Sequence, residues 1–258
     1  MTTIVARQMI GAEILKIRRN RGIMIWSALL VVGATLAYFV VATILHVSDP
    51  GNHGPAGGLQ GFTDSIANVG LYLGSMAAIL IGVTAGGADV SSGVFRDLAA
   101  TGRSRISLFL VRIPGALAVL LTLVAASLAI AIAASFLLAG GLPTPDVLTI
   151  AGYSTWFAVA IGFSLVLSIG VSSVISSRAI AVGALMAWQM ALGFLLAQLS
   201  FLGVLRQGIS VVAVNNLLPA GVVQTPVTSS LVVAAAVLAV WVVVALGAGA
   251  WRTRTMDA

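Results

Sequence analysis

The chain contains no cysteine, two histidines and a single lysine, and only 8% of its residues are charged. The missing cysteines exclude disulfides, thiolate metal sites and cysteine nucleophiles, and they leave the redox compartment open. His46 and His53 lie close together in one polar stretch, which argues against a multi-histidine metal or catalytic centre. The scarcity of charge excludes most. A soluble domain carries about 25% charged residues, whereas here 13 basic and 7 acidic side chains must serve 258 residues. With 60% of residues hydrophobic and a mean hydropathy of +1.13, most of the surface has to face lipid. Twelve of the 13 basic residues are Arg, a bias that together with abundant Ala, Gly and Val fits a GC-rich bacterial genome.

Chemical motifs are equally sparse. There is no GxxxxGK[ST] phosphate loop, and the lone Lys16 sits in AEILKIRR without flanking glycines, so the chain does not bind ATP in that way. No HExxH, intramembrane histidine or intramembrane carboxylate pair is present, which removes the metal, aspartyl and Ser/His routes to intramembrane proteolysis. Asp89 falls at the end of an apolar stretch and Asp64 outside one, which argues against a proton relay. Sodium coupling through carbonyls and hydroxyls stays open.

Six apolar stretches are long enough to cross a hydrocarbon core of about 30 Å at about 1.5 Å per helical residue. They run from Ile23 to Leu45, Val69 to Ala88, Ile113 to Ala139, Tyr153 to Ile175, Ala179 to Leu202 and Ser229 to Ala250. The fold class expected is therefore an all-α integral membrane protein with six transmembrane helices. Basic residues are retained on the cytoplasmic side. Arg7, Lys16, Arg18, Arg19 and Arg21 precede the first span; Arg96, Arg103, Arg105 and Arg112 separate the second from the third; Arg178 separates the fourth from the fifth; Arg252 and Arg254 follow the sixth. Only Arg206 falls on the opposite side, so both termini are expected in the cytoplasm. The net charge of +6 is thus a topology signal and gives no support to a nucleic-acid partner.

The soluble parts are short. Residues 1–21 read either as an N-terminal interfacial helix or as a disordered basic tail. In a helix Met9, Ile10, Ile14 and Ile17 share one side, Leu15 breaks the pattern, and Lys16, Arg18 and Arg19 meet lipid headgroups. The stretch 48–61, rich in Gly and Pro, reads as a flexible outer loop. Residues 203–228 remain apolar, but Asn215, Asn216 and Pro219 interrupt any span, leaving a short helix, a re-entrant element or an interfacial loop. On the fourth span Ser164, Ser168, Ser172 and Ser176 recur every four residues, and the second carries Gly70/Gly74 and Gly82/Gly86 pairs. Such small residues permit close helix approach, and a polar pathway is the alternative. Gln189 and Gln198 on the fifth span either face a cavity or pin helix contacts.

The loop 89–112 reads DVSSGVFRDLAATGRSRISLFLVR. Ser91 and Ser92 can cap a short helix over about 93–100, ended by Gly102. Phe95 and Leu98 are then available for contact, with Arg96 and Asp97 for ion pairs, and Phe95 is covered either by a partner protein or by lipid. With its basic N-terminal helix, six spans and this loop, the chain resembles the membrane-spanning permease subunits of the type-2 ABC exporters. In that family the loop follows a pattern resembling E-x-x-x-G-x-x-x-x-L-x-x-x-P-x-x-R, with a basic residue on the next span. Asp89, Gly93, Leu98, Gly102, Arg105 and Arg112 stand in those places here, with Asp for Glu, Gly102 near the expected Pro and Arg for the usual Lys.

The resemblance implies a single permease domain over residues 1–258 in the bacterial inner membrane. Residues 89–112 would be a coupling loop, with Asp89, Gly93, Phe95, Arg96, Asp97, Leu98, Gly102, Arg103 and Arg105 contacting a separate ABC ATP-binding subunit. It also implies a second permease chain, identical or not, with ATP and magnesium held by the partner subunit and no cofactor or catalysis in this chain. A stand-alone channel or secondary transporter is the alternative, followed by a membrane-embedded enzyme and an anchoring subunit.

Overall fold

The structure, a computed structural model, describes residues 3–91, 104–175, 177–219 and 227–255. It is 86% helical, with no strand among the described residues, and six of its helices are long and apolar enough to span a membrane. The chain is a multi-pass membrane protein. In chain order the elements are α1 (Thr3–Arg19), α2 (Arg21–Ser48), α3 (Gly58–Gly87, its last turn continuing to Ser91), α4 (Arg105–Leu137, with a turn at Val111) and α5 (Val147–Val174). There follow α6 (Arg178–Gln198), a 3-10 segment (Ser200–Gly208), α7 (Ser210–Asn216) and α8 (Leu231–Thr255).

Side-chain caps start five of these helices. Asn20, Ser104, Asp146, Ser177 and Ser230 accept hydrogen bonds from the amides of Ile23, Ser107, Thr149, Ile180 and Val233, which satisfies donors that a helix start leaves open. The Ser177 cap lets α6 begin at Arg178, four residues after α5 ends at Val174, which makes the tight antiparallel hairpin expected from the short gap between the two spans.

Two helices form the centre. The apolar windows of α3 and α5 are 72% and 67% buried, against 17% for α2, 33% for α4, 22% for α6 and 17% for α8. Their contact is made possible by side-chain size. A Cβ on Gly82 would lie 2.7 Å from the Leu165 carbonyl oxygen and the Ser168 Cβ, and one on Gly86 would strike Ser172 Oγ and the Ile169 carbonyl. Further along, Gly70 faces Trp156 and Phe157, and Gly74 faces Ile161. On another side of α5, Gly170 meets the backbone of Ala245 in α8. Helix α1 packs along α4 with Ile17 fully buried, while Leu15 stays 51% exposed. Glu13 of α1 fits against Gly115 and pairs with Lys16 at 2.6 Å.

Several boundaries differ from those expected, with α4 starting at Arg105 and α5 at Val147, ahead of Ile113 and Tyr153. Helix α3 starts at Gly58, eleven residues before Val69, so the outer loop is shorter than 48–61. Phe62 and Ile66, one turn apart, are fully buried, and the backbone is tied to the α4–α5 connection by Gly57 N–H to the Leu138 carbonyl and Leu59 N–H to the Pro143 carbonyl. Gly58, Leu59, Gln60 and Gly61, read with the loop from its Gly and Pro content, therefore sit on a helix. Likewise α6 ends at Gln198 instead of Leu202, because the chain turns at Leu199 and takes a left-handed φ of 50° at Gly203. A further feature has no counterpart in the sequence reading: α2, α3 and α6 each contain one π-helical turn, at Leu29–Gly33, Val69–Leu73 and Trp188–Leu192.

Gly86→Val should cost about 1–3 kcal/mol through overpacking against α5. Gly183→Val, where nothing lies within 4 Å, should stay within about 0.5 kcal/mol. Thermal unfolding of the two variants in detergent, followed by size-exclusion chromatography, measures the difference.

Candidate functional site

At the end of the bundle that holds both termini, three helices converge on the last turns of α3. Arg112 of α4 is only 1% exposed, and its Nη1 donates to the Gly86 carbonyl at 2.8 Å. Ser173 of α5 donates to the Ile169 carbonyl at 2.8 Å and reaches the same Gly86 oxygen at 3.5 Å. Arg178 at the start of α6 donates from Nη2 to Thr84 Oγ1 at 2.8 Å. A guanidinium carries five donors in a fixed fork, and those of Arg112 and Arg178 reach α3 across the helix contacts. At the same end Arg105 Nη1 donates to the Arg254 carbonyl at 3.3 Å, tying the start of α4 to the end of α8. The helix ends on either side of residues 92–103 are thus anchored to the bundle.

Of the residues assigned to that loop from sequence, Gly93, Phe95, Arg96, Asp97, Leu98, Gly102 and Arg103 lie outside the described residues, as does the side chain of Asp89. The helix expected over 93–100 lies there too. Arg105 and Arg112 are placed as above. Lys16 is at the end of α1 against Glu13, and Arg18 and Arg19 are exposed beside it.

The serine ridge lies in the seam. Ser164, Ser168 and Ser172 are buried and donate to the carbonyls of Ala160, Ser164 and Ile169 in their own helix; Ser164 also reaches Ser75 Oγ at 3.4 Å. Gln189 is 4% exposed within the π turn of α6, and Gln198 is exposed at that helix's end.

The opposite end is organised around 208–219. Helix α7 is buried from Ser210 to Asn215, and three indoles from three spans hold it. Trp156 of α5 donates to the Val214 carbonyl, Trp188 of α6 to Ser210 Oγ, and Trp241 of α8 to the Gly208 carbonyl, each at 2.9 Å. Tyr153 donates to the Pro219 carbonyl, and Asn216 ties the segment to Val227 and Ser229. Of the readings left open by the sequence, the short buried helix is the one found. Irregular backbone is tolerated at such depth where protein groups satisfy it.

Next to this segment opens a cleft of about 990 Å³ between the starts of α3 and α5. Gln60, Thr63, Asp64, Thr149 and Tyr153 supply its polar groups, with Leu59, Leu142, Leu148 and Pro219 among its apolar walls. A smaller cleft of about 410 Å³ adjoins it at Gly152 and contains Trp156. None of the serines or glutamines singled out from sequence lines either. The sequence signal for the larger cleft was the pair Gln60 and Asp64, four residues apart and so on one helix face, but it is readable only once α3 is known to begin at Gly58. Among the described residues no three His, Asp or Glu side chains gather as a metal site. Neither a family model nor a curated protein matches the chain.

Trp241→Phe removes one of the three indole bonds, worth about 1 kcal/mol, and should speed amide hydrogen exchange across 208–214 about fivefold. Trp26→Phe, at a 61% exposed position, should leave that exchange unchanged.

Proposed function

We propose that this chain is the membrane-spanning subunit of an ATP-driven exporter of the type-2 ABC kind, non-catalytic itself and moved by a separate ATP-binding subunit through residues 89–112. The observation that carries the reading is the grip on the Gly86 carbonyl, where Arg112 fastens the two helices bounding this loop. A force applied to a loop held this way passes into α3, the most buried span, and from it into α5. The absence of a phosphate loop from this chain supports a reading in which the partner holds ATP and magnesium. The basic residues at this end support the reading that it lies, with both termini, in the cytoplasm. The exposed apolar faces of α2, α6 and α8 are available to lipid and to a second permease chain of the same or related sequence. The π turns in α2, α3 and α6 are widened turns of the sort found at working sites in helices, and they give these spans places to bend.

Affinity purification from native membranes should bring down a protein with a phosphate loop, and Phe95→Glu or Arg96→Glu should cut its recovery at least tenfold without unfolding the permease. Undiminished recovery together with normal transport would remove the coupling role, and solute flux in liposomes holding this chain alone, without nucleotide, would replace the reading by a channel or secondary transporter. Orientation is open to a direct check because the chain lacks cysteine. In intact cells an impermeant maleimide should label Asn52→Cys and spare Ser104→Cys.

A further inference from the structure

The larger cleft has a chemical character that its hydrogen bonds define. Three hydroxyls line it, and each has already committed its proton: Thr63 to the Gln60 carbonyl at 3.1 Å, Tyr153 to the Pro219 carbonyl at 3.1 Å, and Thr149 to the Asp146 carboxylate. What these oxygens offer inward is lone pairs. The half-buried Asp64 lines the same cleft; its carboxylate accepts from Gln60 and keeps further lone pairs. No basic side chain among the described residues pairs with it. This end of the bundle carries Asp49, Asp64 and Asp146 against a single Arg206, whose guanidinium donates to the carbonyls of Gly203 and Ala197. A site rich in acceptors, with one carboxylate and no cation, calls for a cation that carries several donors.

Size and depth narrow the choice. A cleft of about 990 Å³ is at the upper end of organic ligand sites and far larger than a single metal ion with ligands at about 2–2.6 Å requires. Helix α3 is about 45 Å long at about 1.5 Å per residue, longer than a hydrocarbon core of about 30 Å. Gln60, Asp64 and Asn68 fall within its first eleven residues, so this end of the helix reaches headgroup level. From there Leu59 and Leu148, 41% and 80% exposed, lead toward the lipid.

We propose that this cleft binds a primary ammonium borne on an apolar carrier, with the nitrogen on Asp64 among the acceptor oxygens of Thr63, Thr149 and Tyr153 and the carrier along Leu59, Leu142 and Leu148. The site belongs to the single chain and is independent of any ATP-binding partner, so its failure and that of the exporter reading are separable.

The test uses the full chain in phosphatidylcholine nanodiscs without nucleotide. The probe is dodecylamine bearing a dansyl group at the end away from the nitrogen, and anisotropy is the readout. Saturable binding displaced by unlabelled dodecylamine, and displaced poorly by dodecanol or dodecyltrimethylammonium, is expected. Displacement by water-soluble hexylamine as well would identify water as a route of supply, whereas displacement by long chains only would identify the leaflet; both outcomes support the site. Asp64→Asn should raise Kd at least tenfold, and Asp49→Asn, on the neighbouring exposed loop, should stay within twofold. Leu148→Trp, which obstructs the mouth without touching the acid, should raise Kd several-fold at an unchanged unfolding temperature. Binding by Asp64→Asn within twofold of wild type, an equal loss in Asp49→Asn, or equal affinity for dodecanol would overturn the assignment.

Discussion

The packing of α3 against α5 is the contact on which the remaining structure depends. In lipid there is no hydrophobic drive to press one apolar helix on another, so association comes from close van der Waals fit and from hydrogen bonds. Glycines at 70, 74, 82 and 86 remove the side chains that would hold the backbones apart, and the serines opposite use their hydroxyls on their own carbonyls, so they need no water and no partner across the seam. Once the two helices are joined, the others have surfaces to cover: α8 over the Gly170 side of α5, α4 and α1 along another flank, α2 and α6 beside α3.

The two ends of this pair are finished in different ways. At the arginine-rich end, long cationic side chains from α4 and α6 reach inward and close on the last turns of α3, so the helix end is held by charge-assisted bonds. At the other end the closing groups are neutral indoles, a phenol and amides, which suit an interface where one side of the ring is dry and the other wet. This leaves Asp64 as a charge in a setting that otherwise has few. An exporter moved from its arginine-rich end would have its rigid fastening where force enters and its polar cleft where cargo or lipid meets the outer leaflet.

Much of the architecture was legible because bilayer thickness leaves few solutions: an apolar run of some twenty residues flanked by arginine has little choice but to be a span. The glycine and serine spacings were also readable as a close-packed face. The start of α3 was not, since Gln60, Asp64 and Asn68 look like loop residues until Phe62 and Ile66 are seen buried on the same helix. The π turns leave no mark in hydropathy, because one added residue in an apolar run is still apolar. The hold on α7 was hidden for a different reason: its bonds join residues 22, 33 and 58 positions apart, and no local pattern announces them. Asp64 was seen and set aside as external; its cleft is made by α5 and Pro219, which are distant in sequence.

Three of the five tryptophans close on one short segment, and two of them, Trp188 and Trp241, have ring centroids 5.4 Å apart. The other two, Trp26 and Trp251, are 61% and 66% exposed on the bundle surface. The protein therefore carries its own optical gauge. Light absorbed by the clustered indoles is emitted from the place where α5, α6 and α8 are fastened together, and any turning of one of these helices relative to the others would alter the polarity and mutual quenching of that cluster before it altered the surface pair. Red-edge and quencher measurements on the unlabelled chain can thus separate movement at the clasp from changes in the surrounding lipid.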